Sequence, residues 1–216
     1  MRRRFVRARK PEEKEVRRQA ILKAAREMLG EVETSELSLN ELARRSGVSK
    51  PNIYRYFESR EEVLLQVWIE EVREFGEQLR RSLATIEVGD SRAVASAIVA
   101  GFGTRPILCE LTSICASVLE RNLSADAIVN VKQTLATLIM NIAGLLRERL
   151  PALDLEDCAW VANVAAVYVA GIWPAVHPPA HVAEVLKRPE FAAMQPDFEK
   201  DFTRYLNVLF AGLQKR

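Results

Sequence analysis

Between Ser38 and Phe57 the chain reads SLNELARRSGVSKPNIYRYF, placing Lys50, Pro51, Asn52 and Arg55 among Ser49, Tyr54 and Tyr56. These side chains have the chemistry of nucleic-acid recognition. An amide such as Asn52 matches the donor and acceptor on the edge of adenine. Lys or Arg matches the acceptors of guanine, Pro and Tyr rings meet a thymine methyl, and hydroxyls donate to phosphate. Catalytic chemistry has no such counterpart. The sequence holds no convincing nucleophile and base, no phosphate-binding glycine loop and no H-E-x-x-H spacing, so a non-enzyme is expected.

Such a set needs two short helices joined by a tight turn. Ser38 can cap the first, and Glu41, three residues on, can complete a capping box. Leu39, Leu42 and Ala43 then share a face, and Gly47 supplies a residue that takes positive φ cheaply and ends the helix. Val48 is apolar, Ser49 can cap a second helix, and Pro51 is tolerated in its first turn. Ile53 and Phe57, at i and i+4, can be buried together, turning Lys50, Asn52, Arg55 and Tyr56 mostly elsewhere. The pattern is that of a DNA-binding helix-turn-helix; an ordinary helical hairpin with a polar outer face would share it.

The run GVSKPNIYRYFESREEVL resembles the N-terminal domain of the TetR family of one-component transcriptional regulators. The resemblance is carried by Gly47, Val48, Ser49, Ile53, Tyr54, Tyr56, Phe57, Ser59, Arg60 and Glu61. Arg60 stands where the family usually has Lys, and Asn52 where Thr is common. Both keep hydrogen-bonding ability but leave the operator sequence open. The expected roles are base-edge contacts from Lys50, Pro51, Asn52 and Arg55, with Asn40 on the preceding helix near enough to join them. Ser38, Ser49, Tyr54, Tyr56 and Arg60 are expected on phosphates.

Charge points the same way. Residues 1–60 carry 16 Lys and Arg against 9 Glu, a balance of +7, whereas the remainder carries 15 against 20, a balance of −5. One end is therefore suited to phosphates and the other is not. Arg2, Arg3, Arg4, Arg7, Arg9 and Lys10 concentrate the charge in a basic arm that could follow the backbone or enter a minor groove, or simply add nonspecific affinity as a solvated tail. No apolar run of signal-peptide length follows the arm, and no stretch approaches the ~18 uninterrupted apolar residues of a membrane span. Cytoplasmic localisation without membrane contact is expected.

The other elements read as helices, with no period-two segment long enough for a strand, so the fold is expected to be all-α. A first helix near Glu12 to Leu29 would set Val16, Ala20, Leu22, Ala24, Met28 and Leu29 on the hairpin, closing a three-helix head. Ser59 and Glu62 form a second capping box, opening a long linking helix with Val63, Leu64, Val67, Val72, Phe75 and Leu79. Further helices are expected near Ser91 to Phe102, Pro106 to Arg121, Ser124 to Leu150, Asp154 to Trp173 and Asp197 to Leu213. The domains are then 1–60, the basic arm and DNA-binding head, and 61–216, a larger helical effector-binding and dimerisation domain.

Cys109, Cys115 and Cys158 form no CxxC pair and read as buried reduced thiols. His177 and His181 are four apart, but Pro178 and Pro179 between them prevent a regular helical turn, so neither a metal nor any other cofactor is expected. The helix from Ala159 to Ala175 is apolar on nearly every side, and the last helix aligns Phe198, Phe202, Leu206, Leu209, Phe210 and Leu213 in one stripe. Wide apolar faces are covered on several sides, so a homodimer through the helices 154–173 and 197–213 is expected, as the resemblance also implies. A two-fold dimer sets its recognition helices ~34 Å apart or a multiple of it, and double-stranded DNA with a palindromic operator follows.

The resemblance further implies a pocket among the central helices in which a small molecule, whose identity the sequence does not give, shifts the linking helix and releases a repressor from its operator. Its candidate walls are Trp68, Phe102, Cys109, Ile139, Trp160 and Tyr168, whose apolar bias suggests a hydrophobic effector. The segment Glu110 to Asn122 and the run WPAVHPPAH look similar to a C-terminal subgroup of TetR-like regulators. An effector-independent regulator or activator of the same fold, or a helical partner-binding module, are the alternatives.

Overall fold

A computed structural model describes residues 11–215, with the side chains of Pro11, Ala116 and Asn122 left out of account. The basic arm, Arg2 to Lys10, lies outside the described residues. All regular structure among the described residues is helical. The chain divides into two compact units, one ending at Val67 and the other beginning at Trp68. The division falls inside a helix, whose first turns bury Val63, Leu64 and Val67.

The head consists of α1 (Pro11–Leu29), α2 (Leu39–Ser46), α3 (Lys50–Ile53) and the beginning of α4 (Arg60–Leu83). Its core is Ile21, Leu22, Ala25, Met28, Leu37, Leu42, Ile53 and Phe57. Val16, expected on the inner face of α1, is 69% exposed, since it precedes the part of α1 that the other helices cover. Arg18 secures the far side of Phe57: its guanidinium lies 5.6 Å from the ring centre and donates to Gln66 Oε1 at 2.7 Å. At the start of α4, Ser59 Oγ accepts from Glu62 N at 3.1 Å, while the Glu62 carboxylate reaches back to Glu58 N, one residue before the cap.

The second unit contains the rest of α4 with α5 (Ser91–Gly103), α6 (Pro106–Ile114), α7 (Ala125–Arg149), α8 (Leu155–Val176), α9 (Ala180–Leu186) and α10 (Phe198–Leu213). Asp90, Ser124, Asp154 and Asp197 cap α5, α7, α8 and α10 through side-chain oxygens that accept from Ala93, Ala127, Asp157 and Lys200 N–H groups. The core joins Phe75, Phe102, Leu146, Val161, Phe202 and Phe210. Helices α5 and α6 meet at 85°. At that corner Arg105 donates to Glu71 and Glu74, both at 3.1 Å, and to Gln78 at 3.0 Å, fastening the bend to α4.

Two further expectations change. The helix expected over Pro106 to Arg121 stops at Ile114 and continues as a wider π turn, Cys115–Leu119, and a 3-10 turn, Glu120–Asn122. Thr112 and Ser113 donate their hydroxyls back to Leu108 O and Glu110 O at 2.6 and 2.7 Å, local bonding that disfavours a regular ladder. The stripe on α10 packs within its own subunit: Phe202, Leu206, Phe210 and Leu213 are buried against α5 and α8, and Val208 on the other side is 68% exposed. By length and composition α7 and α8 are apolar enough to cross a membrane, although neither is an uninterrupted apolar run. Helices covered on several sides have this composition too.

The histidines lie at the junction after α8. His177 packs its ring 4.0 Å from that of Trp173, and α9 begins beyond Pro179 with His181 exposed. The three cysteines are free and buried. Burial first, then nearby carboxylates, pushes Cys109 and Cys115 up to about 12 and Cys158 to about 11.

Candidate nucleic-acid interface and ligand cavity

In the head, Ser38 Oγ accepts from Glu41 N at 3.2 Å, as a cap should. The carboxylate of Glu41 does not complete the box. It accepts instead from Arg44 at 2.6 and 2.8 Å and from Arg45 at 2.8 Å, and Arg45 also pairs with Glu31 at 2.8 Å. The Arg44 and then the Arg45 bonds hold Glu41 down at about 2, and both arginines are raised in turn. Two of the head's cations are therefore partly neutralised by their own helix.

Gly47 takes φ of +67° and turns the chain. Ser49 then has the extended backbone of an N-cap, but its hydroxyl makes no cap bond; its carbonyl accepts from Asn52 N and Ile53 N at 2.8 and 3.0 Å. Burial of Ile53 and Phe57 at 1% and 2% exposure fixes the rotation of α3 and of the turn after it. Lys50, Pro51, Tyr54 and Arg55 are consequently exposed, with Asn52 and Tyr56 half-buried and Asn40 exposed on α2. Among the described residues the side chains of Lys50, Asn52 and Arg55 have no hydrogen bond or ion pair within the protein. Arg60 differs. Its guanidinium donates to Ser35 O at 3.1 Å, Leu37 O at 3.5 Å and Glu61 at 3.2 Å, tying α4 to the segment before α2 instead of standing free for a phosphate.

The second unit encloses a cavity of about 650 Å³ bounded by α4, α5, α6, the π turn, α7 and α8. That volume is of the order of small-molecule sites, ~300–1,000 Å³. Trp68, Phe102 and Ile139 line it as expected. The other three candidates do not. Cys109 is fully buried behind the wall, its thiol 3.4 Å from Phe102 O. Trp160 is 47% exposed on another face of α8. Tyr168 stacks between Phe202 and Tyr205, at 5.0 and 4.3 Å.

Five polar wall residues escaped the sequence reading: Thr112, Cys115, Glu120, Lys132 and Asn163. Trp68 Nε1 donates to Thr112 Oγ1 at 2.9 Å. Glu120 Oε1 accepts from Lys132 Nζ at 2.5 Å and lies 3.6 Å from Cys115 Sγ. No signal in the sequence pairs Glu120 with Lys132, twelve residues apart across the polar segment that opens α7; the fold brings them together.

The description "Bacterial regulatory proteins, tetR family" matches residues 21–67, and "Tetracyclin repressor-like, C-terminal domain" matches residues 69–216. The HTH-type transcriptional regulator BetI of Yersinia pestis (strain Pestoides F) is 34% identical over 86 residues, 40% of this chain and 43% of BetI. The match thus spans less than half the length of that relative. Among solved structures, the TetR family repressor AlkX from Dietzia sp. strain DQ12-45-1b has a TM-score of 0.59 at 15% identity, covering 92% of this chain and 95% of its own. FadR of Thermus thermophilus, a TetR family transcriptional repressor in complex with lauroyl-CoA, has a TM-score of 0.59 at 20% identity over 90% of this chain and 94% of its own. These likenesses concern the fold. With one family description covering the head and the other the whole second unit, the chain belongs to the TetR family of bacterial regulatory proteins.

Proposed function

We infer that the protein is a cytoplasmic, homodimeric transcriptional repressor that binds a palindromic operator and is released from it by a small ligand with an apolar body. The observation that carries this reading is the set of unpartnered side chains Lys50, Asn52 and Arg55 presented outward by a helix whose apolar side is buried. Lys50, Pro51, Asn52 and Arg55, with Asn40, face base edges; the hydroxyls of Ser38, Ser49, Tyr54 and Tyr56 serve phosphates. Dimerisation uses the outer faces of α8 and α10, where Val167 is 71% and Val208 68% exposed, and not the stripe through Phe202. The ligand occupies the cavity and acts by preferring the subunit arrangement that does not bind DNA. Tenfold weaker operator binding needs about 1.4 kcal/mol of such preference.

Selection of binding sites from a random DNA pool at about 150 mM salt, where nonspecific affinity is suppressed, tests this reading. A palindrome with half-sites spaced by whole helical turns is expected; recovery of no motif would refute it. On the selected site, Asn52→Ala is expected to cost ~1 to 3 kcal/mol and to relax one base pair, while Tyr54→Phe weakens all sequences alike.

A further inference from the structure

The wall of the cavity is mostly apolar, and its polar residues other than Asn163 are Glu120, Lys132, Cys115 and Thr112 at one end. The donors of Trp68 and Thr112 are already engaged. The Trp68 indole gives its hydrogen to Thr112, and the Thr112 hydroxyl gives its own to Leu108 O at 2.6 Å. Asn163, further along the wall, directs its amide nitrogen to Ala159 O at 3.0 Å. Acceptors remain open: the second carboxylate oxygen of Glu120 and the amide oxygen of Asn163. A ligand entering this end meets these oxygens, together with the remaining hydrogens of the Lys132 ammonium and the second amide hydrogen of Asn163.

The ion pair is also unequal. The Lys132 side chain is 56% exposed and that of Glu120 21%. Lysine can withdraw its ammonium into water along a flexible stem at little cost, whereas a half-buried carboxylate needs a counter-charge where it stands. The Cys115 thiol beside it keeps its proton near neutral pH and serves Glu120 as a neutral donor. An anionic ligand drawn to Lys132 would lie beside the Glu120 carboxylate, a like-charge arrangement. A cationic ligand replaces one ammonium by another and keeps a counter-charge against the Glu120 carboxylate, while Lys132 moves into water.

We propose that the cavity selects an amphipathic cation, an apolar body ending in a protonated amine or quaternary ammonium group that takes the place of Lys132 against Glu120. This rests on the reading of the second unit as an effector domain. Lys132 is then a built-in competitor that occupies the site until the ligand arrives.

Dodecyltrimethylammonium, dodecanol and dodecanoate share a chain and differ in charge, so their affinities for the full-length protein, measured by calorimetry below micelle-forming concentrations, test the idea. The cation is expected to bind about tenfold or more tighter than dodecanoate, equivalent to ~1.4 kcal/mol. Glu120→Gln is expected to erase that preference with dodecanol binding unchanged, which shows the variant's cavity to be intact. Lys132→Met is expected to strengthen cation binding. Tighter binding of dodecanoate, or a cation preference that survives Glu120→Gln, would overturn the proposal. Equal binding of all three would remove the cation while keeping the effector cavity, and binding of none would remove both.

Discussion

The two units of this protein each contain a glycine that alanine does not replace freely, for different reasons. Gly47 in the head has φ of +67° and nothing within 4 Å of where a Cβ would stand, so its requirement is purely conformational. Gly101 in the second unit is an ordinary helical residue whose added Cβ would meet Phe75 Cε2 at 2.8 Å, so its requirement is steric. The contrast extends to the rest of each unit. The head is specified by local devices: a cap, a left-handed turn, a short helix and ion pairs along α2. The second unit is specified by packing among helices distant in sequence, with Phe75 against Phe102 at 4.5 Å and Phe102 against Phe202 at 5.8 Å.

If packing rules the second unit, removing its centre has the largest effect. Phe202→Ala, at a fully buried ring, is expected to lower stability by about 3–5 kcal/mol in chemical denaturation; a loss below ~1 kcal/mol would break the contrast. Gly101→Ala comes next, at about 1–3 kcal/mol, and a smaller partner should restore it: Phe75→Leu is expected to make the Gly101 change less costly in a double-mutant cycle. Gly47→Ala is expected to cost about 1–2 kcal/mol, the strain of a left-handed residue, with no second-site change of side-chain size able to relieve it. Rescue of Gly47→Ala by a neighbouring truncation would show the head to be limited by packing too.

The smallest effect belongs to Glu41. Its carboxyl is held near 2 against an ordinary 4.5, first by Arg44 and then by Arg45. Because the folded value is the lower one, the stabilisation is complete above pH 4.5 and is lost as pH falls toward 2. The carboxylate is partly exposed and lies on the surface beside Arg44, so salt screens the effect and the gain is modest. Thermal melts of wild type and Glu41→Gln are expected to converge on acidification across that window and to differ slightly at neutral pH. A constant difference from pH 6 to 2 would place the contribution elsewhere.

This division also explains what could be read ahead of the fold. Ser38, Gly47, Ile53, Phe57 and Ser59 act on neighbours within four residues, and each stands as its spacing indicated. Glu41 was misread at the same short range because two arginines one helical turn away compete better for its carboxylate than the cap N–H does. Arg60 has partners that its spacing did not indicate, because Ser35 O and Leu37 O belong to the segment before α2, which only the folded head brings near. In the second unit Trp68, Phe102 and Ile139 reached the cavity, whereas Cys109, Trp160 and Tyr168 of the same apolar class did not. Composition says that such residues are covered; it does not say by what.

The sequence alone determined the all-helical class, the helix-turn-helix and its outward side chains, and the family, because caps, turns and helical periodicity are short-range properties written in adjacent residues. Only the tertiary structure decided that α10 spends its aromatic stripe inside its own subunit, that the chain breaks into a π turn at Cys115, and that Glu120 and Lys132 meet on a cavity wall. Those outcomes depend on which helices cover which faces, a choice made jointly by side chains far apart in the chain and expressed in no single stretch of it.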